Sequence, residues 1–360
     1  MEKGLKNCTL ILMIIGLTGC MNINQQVLDD IQLATGASYE YIDEDKIEVI
    51  AVFPNFQPDK SVKNETISAS SSLSKEIRDK LSFQSDRPIV SGKVEVTLYE
   101  KKTAERGIKE LLDTLQRDPS IGSNVFLAVI DGDPEELLSK QYGNTDNGYY
   151  LSNLIEQNIE TGLIPKTNLH LFLYKLYAEG MDSMLPIIEQ KNGKINLKAI
   201  GLFDEDRLVD QLGVDDFFYL RILLEHKSQR DSQAFKLTDD KKVSIFNIKT
   251  KRKYEIPKPM TNSEIKIKLK IKSIIREYRN GELNNKKIKE LEKILKEHIE
   301  KKSEELIQQF QEKEIDPLGI GEEVRTRTRQ WDQKKWEELY PDIKITVQAT
   351  IDILESGVID

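Results

Sequence analysis

The stretch IKIKLKIK, residues 265–272, constrains the fold most, because only a β-strand separates its two kinds of side chain. In a strand, successive side chains point to opposite faces. One face then carries four apolar residues: Ile265, Ile267, Leu269 and Ile271. The other face carries four lysines: Lys266, Lys268, Lys270 and Lys272. The pattern predicts a strand whose sheet has one face in a core and one face exposed.

The lysine row lies in a strongly basic part of the chain. Residues 241–280 contain 13 Lys and Arg against three Glu, although the whole chain has 53 basic and 61 acidic residues. The net charge of −8 argues against a generic nucleic-acid binder. Two interpretations of the row stay open. It is either a solvated sheet face that deters edge aggregation, or a basic surface that contacts anionic lipid headgroups or an acidic partner.

The N-terminus is apolar over a length that suits an export signal. The run from Thr9 to Thr18 covers ten residues and follows Lys3 and Lys6. A transmembrane helix needs roughly 20 apolar residues. The hydrophobic core of a signal peptide needs about 7–15, behind a positive segment. We therefore predict a signal peptide at residues 1–19, against the alternative of an uncleaved short anchor.

The four residues at the end of this run fit a bacterial lipobox: Leu17, Thr18, Gly19 and Cys20. Small side chains before the cysteine suit a signal-peptidase pocket, and the thiol accepts a diacylglyceryl group. Cys8 and Cys20 are the two cysteines of the chain, so cleavage before Cys20 leaves no second thiol for a disulfide or a cysteine-based zinc site. We predict a mature N-terminus at Cys20 with covalent diacylglyceryl and N-acyl lipid, followed by a tether at residues 20–30.

The rest of the chain predicts a mixed α+β protein of three domains, each a small mixed or antiparallel sheet packed with helices. We place an N-terminal domain at 31–142, a middle domain at 143–225 and a C-terminal domain at 226–360. A Ser-rich stretch, SASSSLSKEIRDKL, predicts a helix with serine N-caps. A long helix is predicted over about 284–315 in the C-terminal domain, from one apolar stripe at helical spacing. The stripe consists of Ile288, Leu291, Leu295, Ile299, Leu306 and Phe310.

The sequence shows no recognisable catalytic or metal-binding arrangement. Its histidines are His170, on an apolar helix and predicted in or near the core, His226, and His298, among charged residues and predicted solvated. None stands in a metalloprotease motif, and nucleophile-elbow and phosphate-loop motifs are missing. Asp131-Gly132-Asp133 looks like the start of a calcium loop but lacks its later glycine and glutamate. We predict no catalytic residue, no metal and no cofactor, and therefore a protein that is not an enzyme.

Three segments together carry a resemblance to a known family. They are ERGIKELLDTLQRDPSIGSNVFLAVIDGDPEELL, NLHLFLYKLYAEGMDSMLPIIE and IDPLGIGEEVRTRTRQWDQKKWEELYPDIKITVQATIDILESGVI. The last holds an Asp, spaced glycines, paired Trp, an aromatic-Pro step and a final strand. With the lipobox and this order and spacing, the chain resembles the Ger(x)C spore germination lipoproteins, the C subunits of nutrient germinant receptors.

The resemblance implies a non-enzymatic lipoprotein on the extracytoplasmic face of the spore inner membrane. It implies partners of two kinds, an integral membrane A-type subunit and a transporter-like B-type subunit. The expected role is assembly or signalling of the receptor that triggers spore germination. Two alternatives remain: a lipid-anchored solute-binding protein that captures a nutrient directly, and a lipid-anchored cell-wall enzyme.

Overall fold

The computed structural model describes residues 30–225, 227–228, 231–236, 242–279 and 283–356. Within these ranges the strands are β1 (Gln32–Leu33), β2 (Gly36–Tyr41), β3 (Ile47–Phe56), β4 (Val62–Ser71), β5 (Ile89–Val90), β6 (Val96–Glu100), β7 (Phe126–Ile130), β8 (Met184–Lys191), β9 (Lys194–Asp204), β10 (Arg207–Gly213), β11 (Lys227–Ser228), β12 (Asp231–Lys236), β13 (Lys242–Glu255), β14 (Ile265–Arg279) and β15 (Ile345–Ser356). The helices are α1 (Ser74–Ser82), α2 (Lys101–Arg106), α3 (Lys109–Arg117), α4 (Pro134–Ser139), α5 (Asn147–Glu160), α6 (Leu169–Tyr177), α7 (Phe217–Leu224), α8 (Asn285–Glu312), α9 (Ile320–Arg325) and α10 (Gln333–Leu339). The predicted mixed α+β class and the long C-terminal helix are confirmed.

Eight strands form one mixed sheet in the order β10-β9-β8-β7-β6-β2-β3-β4. The four central strands β2, β6, β7 and β8 are parallel neighbours, and antiparallel hairpins extend the sheet at both ends. The hairpin between β8 and β9 turns at Asn192-Gly193, with φ of 55° and 72°. Positive φ at both central residues is what a two-residue hairpin turn requires.

The eight-stranded sheet takes strands from both sides of the predicted boundary at 142/143. Its strands β2, β3, β4, β6 and β7 precede the boundary, and β8, β9 and β10 follow it. Backbone hydrogen bonds between β7 and β8 therefore join the predicted N-terminal and middle units in one sheet. The division into three domains itself stays a prediction.

Helices cover both faces of this sheet, because its strands alternate between two apolar cores. Helices α1, α3 and α6 cover one face, where Ala51, Phe53 and Val129 are buried. Helices α4 and α5 cover the other face, where Val52 and Ile130 are buried. The second core continues without a break into the C-terminal part of the chain.

A second sheet has five strands, with β11 and β12 paired to β13, then β14 and β15. Its apolar face packs on α8, whose buried residues follow the predicted stripe: Leu291, Leu295, Ile299, Leu306 and Phe310. The α8 helix also covers the outer edge of β15. Side chains of Glu304, Glu300 and Glu292 accept hydrogen bonds from the backbone N–H groups of Val347 (2.8 Å), Ala349 (2.8 Å) and Ile353 (3.0 Å). These bonds satisfy edge groups that would otherwise be open to strand pairing.

Two sequence-based placements were wrong. His170 lies exposed on α6, where the buried side is formed by Leu169 and Phe172. His298 is half-buried on α8, within 3.0 Å of the Tyr219 hydroxyl and edge-on to Phe235. The reason is tertiary: α6 is apolar almost all round, so its own sequence does not show which side faces the sheet, and α7 supplies Tyr219 from far along the chain.

Candidate functional site: a lysine face and an interdomain junction

The four predicted lysines lie together on the exposed face of β14. Lys268, Lys270 and Lys272 are exposed, and Lys266 is half-buried. The residues between them point the other way and are 0–2% exposed in the core against α8: Ile265, Ile267, Leu269 and Ile271. The apolar side of the strand therefore fixes the direction of the lysines.

Strand β13 brings three further lysines to the same face, which sequence reasoning missed. Lys249, Lys251 and Lys253 lie directly opposite Lys272, Lys270 and Lys268 in the antiparallel register. We call these seven residues, Lys249, Lys251, Lys253, Lys266, Lys268, Lys270 and Lys272, the lysine face. Their alternation in KTKRK was readable, but the register with β14 was not. Like charges directly opposite each other on a sheet are destabilising.

The ion pairs of the lysine face lie at one end of it. Lys268 Nζ lies 2.6 Å from Glu255, and Lys266 Nζ lies 3.4 Å from Glu264. The bond from Lys268 lowers the pKa of Glu255 below its ordinary value. No carboxylate of the described residues lies within 4 Å of the amines at the other end: Lys249, Lys251, Lys270 and Lys272. That end carries four lysines without an ion pair to any described residue, and its nearest carboxylate in the sheet register is Asp352 of β15, beside Lys272.

A second polar feature joins the eight-stranded sheet to the segment after α8. Asp182 precedes β8, and Asp316 follows α8. The N–H of Asp182 donates to the carbonyl oxygen of Asp316 at 2.9 Å, and the N–H of Asp316 donates to Asp182 Oδ2 at 2.6 Å. Lys175 Nζ donates to the carbonyl oxygens of Asp182 (3.3 Å) and Pro317 (3.2 Å). We call Lys175, Asp182 and Asp316 the junction cluster.

The carboxylate of Asp316 also closes the first turn of α9. It accepts hydrogen bonds from the N–H groups of Ile320 (3.0 Å) and Gly321 (2.6 Å), and Asp316 is 4% exposed. Burial raises the pKa of Asp316 from 3.8 to about 7 and that of Asp182 from 3.8 to about 6. Burial lowers the pKa of Lys175 from 10.5 to about 8. Desolvation therefore outweighs the hydrogen bonds and charges that favour the ionised forms.

Two glycines let the backbones touch beside the junction cluster. A Cβ on Gly321 would lie 2.5 Å from Trp336 Nε1 and 2.7 Å from the Gly180 Cα. A Cβ on Gly180 would lie 2.7 Å from the Gly321 carbonyl carbon, and its φ is 77°. The N–H of Glu322 donates to the Gly180 carbonyl oxygen at 2.9 Å. Asp316, Gly321 and Trp336 of the closing segment therefore lie where that segment packs on the loop before β8.

The residues that looked like a calcium loop have other partners. Asp131 accepts from Lys198 Nζ at 2.7 Å, and Asp133 caps α4 by accepting from the N–H of Glu136 at 2.9 Å. Across the described ranges, no group of three or more His, Cys, Asp or Glu is arranged to hold a metal ion. The lipobox residues Leu17, Thr18, Gly19 and Cys20 lie outside the described residues. None of the described helices is both long and apolar enough to cross a membrane.

Two family models match the chain almost end to end. Residues 24–190 match the spore germination protein N-terminal domain, and residues 198–357 match the spore germination B3/GerAC-like C-terminal domain. The break between them falls in the β8–β9 hairpin, so the C-terminal family domain contributes β9 and β10 to the eight-stranded sheet. The junction cluster takes Lys175 and Asp182 from the first domain and Asp316 from the second.

Named relatives agree with the family models. The chain is 33% identical over 350 residues to the spore germination protein GerQC of Bacillus cereus, covering 95% of this chain and 96% of the relative. It is 24% identical over 312 residues to the putative spore germination protein YfkR of Bacillus subtilis (strain 168), covering 81% and 79%. The crystal structure of the GerBC protein has the same fold, with a TM-score of 0.59 at 15% identity over 89% of this chain and 97% of that one. The chain belongs to the Ger(x)C family of spore germination proteins.

Proposed function

We propose that this spore germination protein is a lipid-anchored, non-enzymatic subunit of a nutrient germinant receptor, required for the assembly or signalling of that receptor. Family membership and the names of the relatives support a C-type germination subunit. The observation that carries the finer proposal is the lysine face, because an exposed surface with this charge needs an anionic partner or bears an uncompensated cost.

In this proposal, cleavage after Gly19 exposes Cys20, which carries a diacylglyceryl group and an N-acyl chain. A single acyl chain gives only marginal membrane binding, so stable anchoring needs more than one signal. The tether of residues 20–30 spans at most about 40 Å when extended, at roughly 3.6 Å per residue. The folded domains then stay close to the extracytoplasmic surface of the spore inner membrane.

The lysine face adds an electrostatic contact to the acyl anchor on Cys20. Lys249, Lys251 and Lys253 stand opposite lysines of β14, and an anionic surface would offset the repulsion within these pairs. Each lysine close to an anionic membrane contributes about 1 kcal/mol of attraction. We propose that the face lies against anionic headgroups of the membrane that holds the lipid anchor. The alternative contact is an acidic surface on a partner subunit.

The junction cluster makes the two family domains act together in this proposal. The two hydrogen bonds between Asp182 and Asp316, one from backbone to backbone and one from the Asp316 N–H to the Asp182 carboxylate, fix the second domain to the sheet of the first. A contact at the lysine face therefore also orients the first domain. The proposed partners of the first domain in this orientation are the integral membrane A-type and B-type subunits.

Vesicle flotation tests the lysine face. The variant changes Lys266, Lys268 and Lys270 to Glu in a Cys20→Ala background, which removes the anchor from the measurement. We expect binding to vesicles with 30% phosphatidylglycerol to fall at least tenfold, and binding of the unreversed chain to weaken with added salt.

The matched control reverses three exposed lysines elsewhere: Lys75, Lys102 and Lys191. It makes the same change in net charge, and we expect less than a twofold effect. Equal binding of the face variant and the unreversed chain would overturn the membrane contact. If the face variant binds vesicles like the unreversed chain but, with Cys20 intact, no longer copurifies with membrane subunits from spore membranes, the face contacts an acidic protein surface instead.

One observation favours the alternative of a solute-binding protein, namely an apolar cavity in the first family domain. Solute-binding proteins of the two-lobed type have two doubly wound parallel sheets, whereas both large sheets here contain antiparallel pairs. Calorimetry of the chain with amino acids and sugars tests this alternative, which predicts saturable heats.

A further inference from the structure

A cavity of about 260 Å³ lies between the eight-stranded sheet and helices α1 and α3. Protein interiors are close-packed, with few voids larger than a water molecule. An apolar cavity of about 150 Å³ is enough to hold benzene. This space is larger, and it lies in the first family domain, away from the lysine face and the junction cluster.

The cavity exists because its floor is made of small side chains, namely three alanines and Thr97 of β6, which stands in register with Ala37. Ala37 of β2 and Ala51 of β3 are a directly opposed cross-strand pair, and Ala34 lies just before β2. Larger side chains surround this floor and form the walls: Ile47, Val49, Ile77, Leu81, Leu111 and Leu115. The methyl groups leave a gap under the two helices that no neighbouring side chain fills. The walls and floor suit a hydrocarbon group.

Polar pairs bridge the two helices at the mouth of the cavity. Arg78 Nη2 donates to Asp118 Oδ2 at 2.6 Å, and the hydroxyls of Ser74 and Thr114 lie 3.1 Å apart. Asp118 Oδ1 accepts two further bonds, from the N–H of Ser120 (3.0 Å) and from its hydroxyl (2.6 Å). Both carboxylate oxygens of Asp118 are therefore engaged, and its side chain is 9% exposed.

Arg78, the cation of the Arg78–Asp118 pair, has guanidinium N–H donors that form no hydrogen bond within the described part of the chain. Its side chain is 62% exposed, and within the described part of the chain only Nη2 of its guanidinium forms a hydrogen bond. Guanidinium presents five N–H donors in a planar fork that suits a carboxylate. An anion at the mouth would meet the open side of Arg78, whereas a cation would find Asp118 already bonded. The unused guanidinium donors of Arg78 therefore favour an anionic head, although the Arg78–Asp118 pair itself is neutral in sum.

We propose that this cavity binds a small amphipathic carboxylate, with its hydrocarbon part on the alanine floor and its carboxylate on Arg78. The volume sets the size of the hydrocarbon part at a substituted ring or a short branched chain. The inference goes beyond the proposed receptor role, since it concerns a different surface and gives this subunit a small-molecule site.

Equilibrium dialysis with radiolabelled 3-phenylpropionate tests the site, using the full chain in phosphatidylcholine vesicles with protein-free vesicles subtracted. The neutral amide of the same acid is the matched probe. We expect saturable binding of the acid to the unchanged chain. Arg78→Gln should weaken binding of the acid at least tenfold and change binding of the amide less than twofold.

Filling the cavity is the second arm. Ala51→Leu places a larger side chain on the floor and should abolish binding of both probes, with Ala37→Leu as the second variant if the first does not fold. Cooperative thermal unfolding identifies the folded variants. The proposal is overturned if the unchanged chain shows no saturable binding of the acid, if Arg78→Gln binds the acid unchanged, or if a folded floor variant still binds it.

Discussion

Asp182 and Asp316, 134 residues apart in the chain, exchange two hydrogen bonds that join the two family domains. One bond runs from backbone to backbone, and the other from the Asp316 N–H to the Asp182 carboxylate. Asp316 is buried, and its own carboxylate accepts from the N–H groups of Ile320 and Gly321, which orders the start of α9. The connection between the domains is therefore polar and largely buried.

Replacing Asp316 with Asn should reduce the pH dependence of stability. Burial raises the pKa of Asp316 in the folded chain from 3.8 to about 7, so between these values the folded state binds more protons than the unfolded state. Stability from this group is then highest below pH 4 and decreases as the pH rises towards 7. The amide of Asn does not titrate, so this component disappears, which amounts to a few kcal/mol in order of magnitude.

Urea unfolding at pH 5 and pH 8 measures this difference. The free energy of unfolding should fall less between the two pH values in Asp316→Asn than in the unchanged chain. Asp79→Asn, at an exposed position of α1, serves as the control and should leave the difference as it was. An identical pH dependence in Asp316→Asn and the unchanged chain would contradict the assignment.

Gly321→Ala should destabilise the junction by overpacking. The added Cβ would lie 2.5 Å from Trp336 Nε1 and 2.7 Å from the Gly180 Cα, so backbone or a buried ring must move. Overpacking of this kind costs about 1–3 kcal/mol. Gly122→Ala is the control, since a Cβ there meets nothing within 4 Å. Denaturant unfolding compares the two, and equal stability of both variants would show that the backbones are not in close contact.

Glu300→Ala should open the edge of β15 at one residue. Glu300 accepts from the N–H of Ala349 at 2.8 Å, and Glu304 accepts from the N–H of Val347 at the same distance. Without its partner, the Ala349 amide should exchange with solvent at least tenfold faster, while Val347 stays protected. Glu300→Gln keeps an acceptor oxygen and should restore protection of Ala349. Amide hydrogen exchange resolved by residue makes the measurement, and uniform protection in Glu300→Ala would refute the role of the glutamate.

The elements that sequence predicted well are those whose periodicity is strong over many residues. The alternation from Ile265 to Lys272 specified both the strand and the direction of its lysines. The stripe from Leu291 to Phe310 specified the long helix within a few residues at each end. Patterns of this length leave one arrangement that buries the apolar side chains, so neighbours hardly affect the outcome.

Features that depend on register or distant partners were missed. The opposition of Lys251 and Lys270 follows from strand pairing, which the pattern of either strand alone does not specify. Asp182 and Asp316 lie in two loops that contact each other, and the sequences of these loops show no periodicity. The predicted serine N-cap of α1 was also wrong, since β4 runs to Ser71 and Leu73 holds the cap position without a side-chain bond. In that stretch the pairing of β4 with β3 outweighs the local capping preference.

We propose above that this chain works as a subunit of a membrane receptor complex. Detergent purification of an affinity-tagged chain from cross-linked spore inner membranes, followed by mass spectrometry of the copurified proteins, tests it most directly. An unrelated tagged lipoprotein from the same membranes corrects for proteins that share only the bilayer. We expect one A-type and one B-type integral membrane subunit to be specifically enriched with the unchanged chain and lost with Cys20→Ala. Recovery of the unchanged chain without either subunit would contradict it.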